Sequence, residues 1–181
     1  LEAARRAAGA CAAATDLVLS GEARAAFVAH RPPGHHAEPE RANGFCLFSN
    51  AALAALHALE AHGLSRVAVV DFDVHHGNGT QAVLWEEPRA AFASSHQMPL
   101  FPGTGAPSER GAHGQIRNAP LAPGDGSAAF RAAWDQALLP FVAAHDPELI
   151  VISAGFDAHR DDPLASLMLT EDDFAWITRR L

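Results

Sequence analysis

Arg66-Val67-Ala68-Val69-Val70-Asp71-Phe72-Asp73-Val74-His75-His76-Gly77-Asn78-Gly79-Thr80 is the stretch on which the fold turns. Its first half is apolar and β-branched without alternation, the pattern of a strand buried on both faces. Leu149-Ile150-Val151-Ile152-Ser153 is a second run of that kind. Ala90–Ser95 reads as a further strand. Ala25–His30 reads as a short one that stops at Arg31-Pro32-Pro33-Gly34, because proline restricts the residue before it and has no amide hydrogen to donate. Helical patterns fall between these runs. They cover Glu2–Leu19 (with Gly21 near its end), about Ser49–His62 (Ser49 as N-cap, Gly63 as stop), Gly79–Glu87 before Pro88, and Ser127–His145 with Ser127 as N-cap. Thr170 with Asp173 three residues on opens a last helix. From Gln97 to Ser127 Pro and Gly recur, which predicts a long loop.

Apolar strands alternating with helices predict an α/β fold in which a central parallel sheet carries helices on both faces. Right-handed crossovers then bring the carboxyl ends of all strands to one edge, where such sheets bind ligands. The 181 residues suit one domain, and the apolar share of 49% against 19% charged excludes a disordered chain. A formal net charge of −8 argues against a nucleic-acid footprint. No run approaches the roughly 20 apolar residues of a membrane span. With no signal-peptide pattern either, the chain is expected in the cytoplasm. Two cysteines, Cys11 and Cys46, are too few for a disulfide framework or a four-thiolate zinc site, and read as small buried side chains. Eleven His and no Tyr are the unusual counts.

Three strands deliver His or Asp just past their carboxyl ends: His35 and His36 after the first, Asp71, Asp73, His75 and His76 after the second, Asp157 and His159 after the third. A lone Asp there is more often a turn residue, and a His pair more often lies at the surface. It is the convergence that favours a site. Asp71, Asp73 and His75 stand at i, i+2 and i+4, which on an extended chain shares one face. Asp73, His75 and Asp157 would supply one nitrogen and two carboxylate oxygens, the three-ligand set of a catalytic zinc ion with one position open. Adjacent His35 and His36 suit proton transfer. Asp71 would fix the tautomer of one and Asn78 orient the other, an Asn leaving its His more easily deprotonated than an Asp would. Spacing does not say which His has which role. Phe45 and Phe101 sit in loops, where they would either flank a channel or pack in the core. His57 and His62 read as exposed residues on a helix.

The motifs Arg31-Pro32-Pro33-Gly34-His35-His36-Ala37, Asn43-Gly44-Phe45-Cys46, Asp71 to Thr80, Phe101-Pro102-Gly103-Thr104-Gly105 and Ala154-Gly155-Phe156-Asp157-Ala158-His159 resemble, in order, those of the zinc-dependent histone deacetylase family. That family includes bacterial acetylpolyamine amidohydrolases, and Asn78 with Val74 resembles its class II branch. The resemblance implies an arginase/deacetylase-like fold and a single zinc ion on Asp73, His75 and Asp157. It makes His36 the general base and acid, partnered by Asn78, and His35 an electrostatic helper partnered by Asp71. Phe45 and Phe101 would line an acyl-lysine channel, with the Gly44 carbonyl near the substrate amide. A monovalent cation, K⁺, would lie near Asp71–His75, using backbone oxygens, the Asp73 side chain and the Ser94–Ser95 region.

The implied reaction is hydrolysis of an acetylated lysine or acetylated polyamine, with no nucleic-acid or membrane partner and with a homo-oligomer open. The chain opens on Leu1 rather than Met and stops at Leu181 inside a helical pattern. Residues 1–181 are therefore expected to be one catalytic domain cut at both ends. The family's transition-state Tyr would lie downstream, so this piece alone is expected to be a poor catalyst. Two rival readings are a binuclear manganese hydrolase of the arginase type and a non-catalytic acyl-lysine binder.

Overall fold

The computed structural model describes residues 1–181. Four parallel strands form its sheet: β1 (Val67–Asp71), β2 (Ala90–Gln97), β3 (Ile116–Leu121) and β4 (Leu149–Ser153), in the spatial order β3-β2-β1-β4. The helices are α1 (Glu2–Leu19), α2 (Asn50–Ala61), α3 (Asn78–Val83), α4 (Ser127–Ala133), α5 (Leu139–His145) and α6 (Glu171–Arg180). A π-helical stretch, Trp134–Leu138, joins α4 to α5. Pro140 lies one residue into α5 and has no N–H to offer the preceding turn, which is where a helix widens most readily.

The period-2 alternation of β1 sorts its side chains between two cores. Val67 and Val69 join Phe92, Ile116 and Leu84 under the Ala52, Ala55, Ala58 and Leu59 stripe of α2. Ala68 and Val70 face the other way, onto Phe130, Trp134, Leu138 and Val142, with Phe174 and Ile177 of α6. Each large side chain so buried contributes roughly 1.5–3 kcal/mol relative to exposure. Helices thus cover both faces, as expected. The Thr170–Asp173 capping box opens α6, also as expected.

Several sequence expectations need correction. Ala25–His30 forms no strand: it has no neighbour to pair with, and Phe27 is exposed. The supposed loop Gln97–Ser127 contains β3, an edge strand, the one sheet position that accommodates Pro120. Gly126, not Ser127, is the N-cap of α4, and the Ser127 hydroxyl donates instead to Asp173 Oδ2 at 2.7 Å. Ser49 does cap α2, but without a side-chain bond. Cys11 is only half-buried. The β4 strand is apolar yet incompletely covered, because it ends the sheet and is bonded on one side only, to β1.

Candidate metal centre

β1 ends on Asp71, and the chain then turns instead of continuing extended. Asp71 Oδ1 accepts from the Asp73 amide at 3.1 Å, and Asp73 Oδ1 from the His75 amide at 2.8 Å. The extended backbone expected through Asp71, Asp73 and His75 therefore gives way to two side-chain-to-backbone turns, and the Asp71 and Asp73 carboxylates come to flank the two nitrogens of one ring, His35. Asp71, fully buried, faces His35, its Oδ2 lying 3.0 Å from His35 Nδ1.

Asp73 and His75 meet Asp157, which follows the adjacent strand β4. His75 Nδ1 lies 3.1 Å from Asp73 Oδ1 and 2.9 Å from Asp157 Oδ2, and the ligand atoms of the three residues fall within 4.8 Å of one another. Asp157 Oδ1 accepts from the Val74 amide at 3.0 Å, tying the two strand ends together. Donors about 2.0–2.1 Å from a tetrahedral zinc stand about 3.3 Å apart, so these separations need only a slight widening. Gly155 makes room: a Cβ there would collide with Asp73 Oδ2. One imidazole and two carboxylates, in a half-buried pocket without thiolates, fit a zinc-class ion.

The two neighbouring histidines are in opposite electrostatic states. Burial opposes charge on His35, but Asp71 and Asp73 outweigh it and raise its pKa to about 9. Burial lowers that of His36, with the charge on His35 acting the same way, to about 4. Their rings lie 3.9 Å apart. Hydrogen bonds from the His75 ring to Asp157 and Asp73 lift its pKa to about 10, a measure of how strongly the pair of carboxylates attracts positive charge.

His36 Nδ1 lies 2.8 Å from Asn78 Oδ1, and Asn78 Nδ2 donates to Glu38 Oε1 at 2.7 Å. A carboxylate can only accept, so Glu38 fixes which end of the Asn78 amide turns to His36. The amide oxygen in turn requires the proton on Nδ1 and leaves the lone pair on Nε2. Sequence reasoning missed Glu38. Its one signal was an acidic residue two places after the His pair.

Gly44 packs so closely on the His36 ring that a Cβ there would collide with it. The Cys46 thiol accepts from the His36 amide at 3.4 Å and donates to the Gly44 carbonyl at 3.3 Å. Phe101 stands edge-on to His36, with centroids 5.0 Å apart, and 6.4 Å from His75. Phe45 is 93% exposed with φ 63°, so both aromatic side chains border open space and neither is a core residue. Ser94 and Ser95 are buried beside β1, their hydroxyls engaged with His96 Nδ1 at 2.9 Å and Trp134 Nε1 at 3.0 Å. The Asp73 carboxylate belongs to the three-residue group.

A second buried network, also missed, supports the loop that carries Phe101. His76 bonds Thr104 Oγ1 and Gln81 Oε1 at 2.8 and 3.1 Å, and His96 Nε2 lies 3.1 Å from the Gly105 carbonyl. Glu109 accepts from Gln81 and from the Gly105 and Ala106 amides. Its sequence signal was the polar end, Ser94-Ser95-His96-Gln97, of an otherwise apolar strand.

The chain resembles known proteins along its whole length. The family model "Histone deacetylase domain" matches residues 1–181. The chain is 45% identical over 181 residues to the histone deacetylase-like amidohydrolase of Pseudomonas aeruginosa, covering 98% of this chain and 48% of that protein. It is 40% identical over 187 residues to the polyamine deacetylase HDAC10 of Rattus norvegicus, covering 98% and 32%. The crystal structure of the HDA15 HD domain superposes with a TM-score of 0.95 at 41% identity, covering 99% of this chain and 54% of that one. The chain thus spans about half or less of the length of these relatives. No helix is long and apolar enough to cross a membrane. The fold is the arginase/deacetylase-like α/β fold, and the chain belongs to the histone deacetylase family.

Proposed function

We propose that this chain carries the metal centre and proton-handling residues of a zinc-dependent amidohydrolase that removes the acetyl group from acetylated lysine or an acetylated polyamine. The convergence of Asp73, His75 and Asp157 from two adjacent strand ends, with the His36 ring 5.8 Å from that of His75, carries the reading. Zinc held by those three residues supplies polarisation of the amide carbonyl and acidification of a water.

The remaining work falls to the chain. His36, neutral and with Nε2 free, takes a proton from the attacking water at that nitrogen and returns it to the departing amine. His35 stays charged against Asp71 and favours negative charge developing on the carbonyl oxygen. This separation of neighbouring pKa values supports those two roles, which spacing left open. Phe101 shields the reacting centre on one side, and Gly44, lacking a side chain, lets its backbone pack directly on the His36 ring.

Asp71, the remaining nearby carboxylate, is committed to His35, which favours a mononuclear centre over a binuclear manganese one. Amine-bearing substrates agree with the acidic net charge, and K⁺ near Asp71–His75 and a cytoplasmic setting belong to the same proposal. The test is to load the full-length protein with zinc and assay an acetyl-lysine peptide and N-acetyl polyamines. Turnover lost in Asp157→Asn and His36→Ala is expected. Unchanged rates in either variant overturn the reading.

A further inference from the structure

A second group of metal-ligating side chains lies away from the centre described above. Asp16 is in the last turn of α1, His57 in α2, and His62 caps the carboxyl end of α2. Both imidazoles direct Nε2 at one oxygen: His57 Nε2 lies 2.6 Å and His62 Nε2 2.7 Å from Asp16 Oδ1, and the three ligand atoms fall within 4.8 Å of one another. The rings are 5.4 Å apart and nearly perpendicular. The two imidazoles are the only ionic partners of Asp16, although the chain has 13 basic residues. Hydrogen bonds from His62 and His57 keep the Asp16 carboxyl below its ordinary range, so it stays an anion.

We infer that Asp16, His57 and His62 form a second divalent-metal site, selective for imidazole-seeking ions of the zinc and nickel class, which bridges α1 to α2. The donor set is two nitrogens and one oxygen, with further positions open to water. Reaching the roughly 3.3 Å donor spacing of a tetrahedral ion needs an opening of about 0.6 Å. Half-exposed side chains provide that by small rotations, with side-chain exposures of 54, 30 and 27% for Asp16, His57 and His62.

The bridge matters because α1 buries few of its own residues. It is rich in alanine and buries only Ala4, Ala7 and Thr15. The carboxylates of Asp157 and Asp73 are held by the Val74 and His75 amides, whereas Asp16 has the two imidazoles alone, and outer partners of that kind are typically worth about 10–100-fold in affinity. The site is therefore expected to fill after the Asp73–His75–Asp157 centre.

The test is zinc titration of the metal-free, full-length protein by calorimetry, repeated with cobalt(II) for its visible absorption. The wild type is compared with Asp157→Asn, with the double variant His57→Ala/His62→Ala, and with Asp16→Asn, which keeps a hydrogen-bond acceptor but loses the charge. The double variant and Asp16→Asn are expected to bind one ion fewer than wild type while keeping the equivalent that Asp157→Asn removes. Zinc saturation is expected to slow amide hydrogen exchange in α1 several-fold in wild type and in Asp157→Asn, and not in the other two. Equal stoichiometry in wild type and the double variant overturns the inference, as does exchange in α1 that zinc leaves unchanged. Loss of the second ion alone, with no effect of Asp157→Asn, refutes the zinc amidohydrolase reading and leaves this one standing.

Discussion

Replacing Asn78 with Asp separates an electrostatic account of His36 from a purely steric one. The side chains are nearly isosteric, so the 2.8 Å contact to His36 Nδ1 survives while a neutral acceptor becomes an anion. Two unit charges about 4 Å apart interact by about 4 kcal/mol at an effective dielectric of 20, a ceiling of about three pH units. Repulsion from Glu38, 2.7 Å from Asn78 Nδ2, offsets part of this. The pKa of His36 is expected to rise from about 4 by about one to three pH units. The sign follows from the anion favouring the imidazolium, so less of the neutral base remains in mild acid and the acid limb of the rate profile moves to higher pH. Imidazole titration by NMR reads the shift directly in the zinc-free protein, without reliance on turnover. A rise of less than about half a pH unit refutes the electrostatic role assigned to Asn78.

Further outcomes follow from other contacts. Gly155→Ala pushes the Asp73 carboxylate aside and is expected to weaken zinc binding by about 10–100-fold, whereas Gly9→Ala, with open space around it, is not; calorimetric titration distinguishes them. Asp173 is fully buried and accepts from Ser127, Arg131 and the Thr170 amide. Asp173→Ala is expected to cost about 2–4 kcal/mol in urea unfolding, through the lost cap and an unpaired Arg131.

Burial, with the repulsion the two rings would feel if both were protonated, lowers His76 to about 3, and burial lowers His96 to about 4, so both fold as neutral rings. The unfolded chain binds protons there from about pH 6.5 downwards, and each ring then removes up to about 1.4 kcal/mol of stability per pH unit until its folded value is reached. His35 and His75, raised instead, contribute stability that is complete below about pH 6.5 and lost as the pH rises through about 9 and 10. Urea midpoints of the zinc-free protein should therefore fall between pH 6.5 and 5. Equal midpoints contradict the neutral burial of His76 and His96.

What the sequence disclosed was set by how local each signal is. β1 and β4 were legible because an unbroken apolar run has few alternatives, and the Asp73–His75–Asp157 group because each member lies within a few residues of a strand end. Ala25–His30 has the composition of a strand but lacks a partner, and pairing is not a local property. β3 escaped because Pro120 and the surrounding Gly and Pro obscure a strand that tolerates proline only by lying at an edge. The turn after Asp71 depended on two carboxylates choosing backbone amides over solvent, which period alone does not encode. Glu38 and Glu109 act through contacts 40 and 28 residues away along the chain, to Asn78 and Gln81, and nothing near them in sequence marks those partners.

The position of β4 has a practical consequence. Its outer rim presents a row of unbonded amides and carbonyls next to Ile152 and Phe156, which are 40% and 54% exposed, while the opposite rim at β3 is blunted by Arg117 and Pro120. An exposed apolar rim of this kind is a template for pairing with an extended peptide, another molecule of the same kind included. Preparations of these 181 residues by themselves should be handled dilute and followed by light scattering, because clumping along β4 would mimic loss of metal or of catalytic competence.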